Sequence, residues 1–396
     1  MGLTGIANYP RASGKALHNS LALVALTTVM LQFSTPAAAI EFSITNLVTD
    51  DQSANPALLT DPRLVNAWGI AASPTSPLWI GDNGTGQSTL YAVNPATGAV
   101  TLNLATHPTI PGDGSVTGVA WSSLSGAGAF NGDNFLFVSE DGTISGWRGA
   151  LGGSAETLQL GDANNIYKGT TFLSSGGHGY LLSANFFTGA IDVLKGDAGA
   201  PNLPGSFVDP NIPSGYAPFD IRLLGSNVFV TYAEKGAGRD EIDGLGKGFV
   251  DEFDLSGNFV GRVGSGGTLN APWGLAIAPA SFGLFAGDLL VGNFGDGTIN
   301  IFDLGTKTFV DQLRGLSGEA LIIDGLWALT VGSGAGNGGS ASALYFTAGP
   351  NEEGDGLFGV INPVPEPASI TMFALGLLGL GFLKGCASRS SREPSN

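Results

Sequence analysis

Six short apolar stretches recur about every 50 residues along this chain. They read NAWGIAA (66–72), SVTGVAW (115–121), YKGTTFL (167–173), APFDIRL (217–223), APWGLAI (271–277) and DGLWALT (324–330). A fixed period of this length marks a repeat architecture, in which each unit buries its apolar faces only by packing on its neighbours. A second apolar run follows each stretch, as PLWIGDN, NFLFVSED, GYLLSANF, NVFVTYAE, DLLVGNFG and ALYFTAGP. A third follows a Gly-rich turn, as STLYAVN, GTISGWR, GAIDVLK, GFVDEFD, GTINIFD and GLFGVI. Apolar and polar positions alternate, so these runs are strands. A more polar fourth run occurs in five units, as AVTLNLA, AETLQL, GSFVD, GNFVGRV and KTFVDQL, and the sixth lacks it.

The segment EFSITNLV (41–48) has strand character, precedes the first unit and belongs to none. Set beside GLFGVI, it supplies the missing strand and joins the two ends of a ring. The expected fold class is therefore all-β, a six-bladed β-propeller closed by the N-terminal strand over residues 40–362, in which closure protects the sheet edges. A parallel β-helix is the main competitor, but its rungs are about half as long and it needs no strand from the far end. The largest insertion, EKGAGRDEIDGLGKG (234–248), falls between the second and third strands of the fourth unit and reads as a surface excursion.

Glycine supplies 63 of the 396 residues, as tight turns and close backbone approach require. The net charge of −17 hides an uneven distribution, because Arg11, Lys15, Lys384, Arg389 and Arg392 all lie near the ends. Between Ile40 and Pro365 stand 11 basic and 31 acidic residues, a net charge of −20. Such a body repels nucleic acid and anionic lipid, and suits a soluble extracellular protein or one that binds divalent cations. The single cysteine, Cys386, lies outside the repeats, so no disulfide and no cysteine-based metal site is expected in them.

Both ends read as addresses. Arg11 and Lys15, the apolar run Leu21 to Phe33, and the small residues Ala37, Ala38 and Ala39 form a three-part export signal (1–39), with cleavage expected after Ala39. At the far end, residues 368–383 form a short apolar span followed by a basic tail, which the positive-inside rule holds in the cytoplasm. Before it, Pro365 and Pro367 keep VPEP extended and out of the helix. The trio Pro365, Glu366 and Pro367 with its helix and Arg-bearing tail resembles the PEP-CTERM sorting signal of Gram-negative bacteria, here residues 363–396. The resemblance implies transient anchoring in the inner membrane, removal of the helix by an exosortase, and delivery to the outer surface or an exopolysaccharide matrix.

The repeats carry a second resemblance. The blocks DPRLVNAWGIAASPTSPLWIGDNGTGQSTLY, LNAPWGLAIAPASFGLFAGDLLVGNFGDGTINIFD and IDGLWALTVG…ALYFTAGPNEEGDGLFG are similar to signature blocks of an uncharacterised bacterial family of secreted propellers. This implies the fold and brings no activity.

Tracing the strands puts Asn66, Asp82, Asn83, Asp113, Glu140, Asp141, Asn185, Glu234, Asn270, Asn293, Asp324 and Glu352 on one face. Oxygen ligands converging there suit Ca²⁺ or Mg²⁺, and Asp82, Asn83, Glu140, Asn185 and Asn293 are the candidate metal ligands. The bland alternative is that Asx residues cap strand ends and form turns before glycine. By fold-level analogy, Asp82, Glu140, Asn185 and Asn293 would serve a divalent-metal-dependent hydrolase of the lactonase type. His107 and His178 read as loop and turn residues, and neither has metal-ligand spacing. No nucleophile elbow, zinc-protease or phosphate-loop motif occurs, so no catalytic residue is assigned. Trp68, Trp273 and Trp327 read as core residues, with Trp68 or Trp273 favoured if one ring is free to stack on a sugar. The expected role is a surface or matrix binding protein, with exopolysaccharide as a partner.

Overall fold

The computed structural model describes residues 40–365. The export signal, Glu366 and Pro367 of the sorting motif, the apolar span and Cys386 lie outside the described residues. Within them, no helix is long and apolar enough to cross a membrane.

Six sheets follow one another in the order of the repeats, antiparallel except for two short parallel pairings that Glu41–Thr49 makes in the sixth with Leu59–Thr60 and Arg314–Gly315. Blade one runs Ala67–Ala71, Leu78–Asp82, Gln87–Val93 and Val100–Leu102, with neighbours in sequence paired in the sheet. Blades two and five repeat this four-stranded plan, and blade four adds to it a short pairing of Glu241–Ile242 with its second strand. The first strands, one per blade, touch in ring order and line a central channel. Apolar clusters lie between adjacent sheets; Trp79 and Leu90 of blade one, for example, pack on Val116 and Phe135 of blade two.

Blade six is completed from the other end of the chain. Glu41–Thr49 pairs antiparallel with Leu357–Pro363, in a register from Phe42 opposite Pro363 to Thr49 opposite Leu357. The ring thus closes by backbone hydrogen bonds between its termini, as the orphan strand implied.

Blade three departs from expectation, because GSFVD forms no fourth strand and the sheet has three. Pro201 and Pro204 contribute no N–H to a ladder. The Gly205 and Phe207 N–H groups instead donate to the Ser256 and Gly257 carbonyls, in a turn of blade four. Phe207 takes a left-handed φ of 53° and buries its ring against Phe253, with centroids 5.9 Å apart. Apolar burial between blades outweighs strand pairing at this edge.

All six inner strands share one irregularity. The pairing register slips at the same point in each, skipping Trp68–Gly69, Thr117–Gly118, Lys168–Gly169, Phe219, Trp273 and Trp327–Ala328. A bulge re-aims side chains, and here it assembles a layer from Trp68, Thr117, Lys168, Phe219, Trp273 and Trp327, all buried. Trp68 stacks on Trp327 at 3.6 Å, Trp273 meets both edge-on, and Phe219 lies 6.0 Å from Trp327. This plug divides the channel into two chambers with different linings.

Glycine after the plug residue lets neighbouring inner strands touch. A Cβ on Gly69 would meet the Thr117 carbonyl oxygen at 2.5 Å, and one on Gly274 the Trp327 carbonyl oxygen at 2.6 Å. These contacts are with backbone, which cannot swing aside. Gly274→Ala is expected to destabilise by roughly 1–3 kcal/mol, the usual cost of overpacking, and a denaturation midpoint equal to that of the unchanged protein would refute the close-approach account.

Candidate functional site

The chamber at the N-terminal ends of the inner strands has a volume of about 400 Å³. Trp68 and Lys168 form its floor, and Phe294 and three glycines contribute to its wall. Its other lining residues are seven acids: Glu140, Asp240, Glu241, Asp243, Asp324, Glu352 and Glu353. One ammonium faces seven carboxyl groups.

These acids form two tiers. The inner tier surrounds Lys168, whose side chain is 2% exposed. Its Nζ donates to Glu140 Oε1 at 2.7 Å and lies 3.7 Å from Glu241 Oε2. It also sits 4.9 Å above the Trp68 ring and 5.7 Å from the rings of Phe186 and Phe219. Burial alone would lower the Lys168 ammonium, but the Glu140 and Glu241 carboxylates outweigh it and hold the group above its ordinary value. Lysine thus fills a cage of carboxylates and aromatic faces that would otherwise suit a bound cation. Glu353 completes the tier, pushed up by burial, while the hydrogen bond from Asn66 opposes the shift. The outer tier, Asp240, Asp243, Asp324 and Glu352, is exposed at the rim.

Two loops bring these acids in. The insertion of blade four crosses the mouth and carries Asp240, Glu241 and Asp243. It is tied to blade two, where Arg239 pairs with Asp113 at 2.9 Å. It is also tied to blade five, where the Gly244 N–H donates to Asn270 Oδ1 at 2.6 Å. The excursion is therefore docked over the channel at both ends. In blade six, Asn351, Glu352 and Glu353 take left-handed φ values in succession (59°, 54° and 65°). Asn66 and Ala271, just before inner strands, share that conformation at 48° and 43°. Strained backbone gathers at this mouth, as it does around functional sites. Asn66 links loop to plug: its Oδ1 accepts from the Trp68 and Trp327 indoles at 2.9 and 3.1 Å, and its Nδ2 donates to Glu353 Oε2 at 2.6 Å.

Of the five metal candidates, Glu140 alone lines this chamber. Asp82 is buried in blade one, accepting from Thr89 Oγ1 at 3.1 Å. Asn83 accepts from Asn66 at 3.4 Å. Asn185 takes the N–H groups of Phe187 and Thr188 on its Oδ1, an Asx-type cap, and donates to Asn165 and Asp192. Asn293 donates to the Thr268 carbonyl and to Asp296, and accepts the Asn270 N–H. Among the described residues, no group of three or more His, Cys, Asp or Glu side chains is placed to hold a metal ion. From the wider face, Asp324 and Glu352 reach the rim, whereas Asp141 accepts the Asp113 N–H and Glu234 pairs with Lys247 at 3.2 Å. Trp68 and Trp273 are 2% and 1% exposed, so neither has a ring face free for a sugar. His178 forms an exposed pair with Asp197 at 2.9 Å.

Buried carboxyls make stability depend on pH. Burial pushes Asp220 and Glu241 up to about 7 and Asp133 and Asp251 up to about 6, against the opposing pull of Arg222, Lys168, Arg148 and Arg262 respectively. Unfolded, these groups titrate near 4. Between roughly pH 4 and 7 the folded chain therefore binds more protons than the unfolded chain. This contribution is complete below about pH 4 and is lost as pH rises through 6 and 7. The melting temperature is expected to be higher at pH 5 than at pH 8. Equal values at both would show that the carboxyls are solvated.

Residues 363–384 match the PEP-CTERM protein-sorting motif. Over 325 residues the chain is 34% identical to Uncharacterized protein R648 of Acanthamoeba polyphaga mimivirus, covering 78% of this chain and 77% of that protein. It is 32% identical over 312 residues to Uncharacterized protein L690 of the same virus, covering 76% and 80%. Among solved structures, a glucose dehydrogenase aligns at 15% identity and a TM-score of 0.45, over 77% of this chain and 98% of that one. Kuenenia stuttgartiensis hydrazine synthase aligns at 16% identity and 0.39, over 72% and 74%. Likeness at that level says nothing about chemistry.

Proposed function

The chain belongs to the same family as the two mimivirus proteins, and for it we propose a binding role at the cell surface or in the extracellular matrix, centred on the acidic chamber. The observation that carries this reading is the chamber's charge: seven acids around one lysine, in a blind cavity floored by the plug. Such a site concentrates cations and repels anions. The exposed outer tier suits a flexible, amine-bearing partner more than a metal ion, which needs three or more ligands converging on one point. The partner that fits both place and charge is an exopolysaccharide with free amino groups. Export through residues 1–39, sorting of residues 363–396 by an exosortase, transient anchoring through 368–383 and release of the 40–362 propeller from a Gram-negative inner membrane complete the proposal. Kinship with the secreted bacterial propellers is part of it.

Binding of a chitosan oligomer, whose sugars carry free amines, tests it by calorimetry. The oligomer is expected to bind and its fully acetylated counterpart not to bind, with affinity falling as salt rises. Asp324→Asn with Glu352→Gln should weaken binding several-fold. Equal binding of both oligomers would overturn the reading. The second reading, a Ca²⁺- or Mg²⁺-dependent hydrolase using Asp82, Asn83, Glu140, Asn185 and Asn293, draws support from Glu140, which lines the inner tier of the acidic chamber. It predicts a stoichiometric metal in native mass spectra that chelator or Asp82→Ala removes.

A further inference from the structure

Beneath the plug, the second chamber has a volume of about 420 Å³, within the roughly 300–1,000 Å³ of small-molecule pockets. All six inner strands line it, with Ile70, Leu224, Ile277 and Val331 among its apolar residues. Among the described residues, Arg222 is its one charged lining residue. It stands at the plug end of the chamber: its Nη2 donates to the Ile70 carbonyl at 3.2 Å, and its Cζ lies 5.9 Å from the Trp273 ring. That one hydrogen bond leaves most of the five guanidinium donors for a ligand.

The partner behind Arg222 is only loosely engaged. Asp220 occupies the plug-following position that is glycine in four other blades and Ala328 in the sixth. Its carboxylate is fully buried, neither oxygen has a hydrogen-bond partner among the described residues, and Oδ2 lies 3.4 Å from Arg222 Nε. Charge-assisted pairs are normally 2.7–2.9 Å apart. Burial also makes this carboxylate a weak counter-charge near neutrality, since it pushes the group up to about 7.

We infer that this second chamber binds a single-chain carboxylate, head inward on Arg222 and tail toward the open end. The fork of a guanidinium matches a planar carboxylate with two parallel bonds. The residues further along the inner strands toward the open end, Ala72, Leu224, Ile277 and Val331, offer an alkyl chain only apolar contact. A body of net charge −20 repels anions over most of its surface, so one half-buried guanidinium at the plug end of this chamber defines a selective place.

Octanoate is the probe, titrated calorimetrically into the purified protein. Saturable binding is expected, with octanol at least tenfold weaker. Arg222→Gln should lower octanoate affinity at least tenfold, and Asp220→Asn should raise it by removing the competing carboxylate. Should Arg222→Gln fail to fold, Thr330→Trp narrows the chamber with Arg222 intact and should abolish binding. Octanol binding as tightly as octanoate, an unaffected Arg222→Gln or Thr330→Trp variant, or no octanoate binding would each overturn the inference. Chitosan binding at the acidic chamber should persist in every variant, which separates the two sites.

Discussion

Lys168→Met is expected to destabilise the propeller by roughly 3–5 kcal/mol, the usual cost of breaking a buried ion pair by removing one partner. Methionine matches the four-atom apolar stem of lysine and lacks only its terminal nitrogen, so the stem's packing among Trp68, Phe186 and Phe219 is nearly conserved. What is lost is the one ammonium among Glu140, Glu241 and Glu353. These carboxylates would face one another in a partly buried chamber, and each would have to take up a proton or admit water. Urea denaturation at pH 7.5 measures the loss, and the deficit should shrink at pH 5.5, where protonation relieves the repulsion. Adding Glu140→Gln to Lys168→Met should recover part of it. Unchanged stability in the single variant would mean that the inner acids are already neutral or hydrated and that Lys168 is no keystone.

The role of Lys168 also explains where sequence reading stopped. A single lysine in YKGTTFL passes as a solvent-facing residue of a strand. Its position becomes informative only when the six repeats are aligned on the residue skipped by the bulge. Then Trp68, Thr117, Lys168, Phe219, Trp273 and Trp327 share one column and point to a common layer. Blade count, blade order and the closing strand were legible because period-2 patterning and a 50-residue period are properties of the chain itself. GSFVD misled because its pattern is right for a strand, while its prolines and the pull of a neighbouring blade on Phe207 are tertiary matters. The surroundings of the Asx residues are tertiary in a related way. Asn185 and Asn293 do end second strands, but an Asx side chain satisfies nearby backbone before it reaches a channel. Glu241 and Glu353 reach the mouth through a docked insertion and a left-handed turn, neither of which has a periodic signature.

The chamber depends on the ring as a whole, because its lining comes from blade two through Glu140, blade three through Lys168, blade four through its insertion and blade six through Glu353. Opening the ring should therefore remove the site and the fold together. A chain beginning at Asp50 lacks Glu41–Thr49 and leaves Leu357–Pro363 as an unpaired edge. It also loses the burial of Phe42, Leu47 and Val48, worth roughly 1.5–3 kcal/mol for each side chain. Phe42 would vacate its place against Phe282, 4.7 Å away. The total approaches the roughly 5–15 kcal/mol by which whole domains are stable, so the shortened chain should not unfold in a single cooperative transition near the midpoint of the intact one. Its exposed edge should recruit another chain, giving concentration-dependent oligomers on size-exclusion chromatography. A synthetic peptide EFSITNLVTD, added in excess, should pair with the open edge and restore the monomer and the cooperative melt. A monomeric shortened chain with an unchanged melt would show that blade six holds with three strands and that the terminal pairing is decoration on a ring closed by side-chain packing alone.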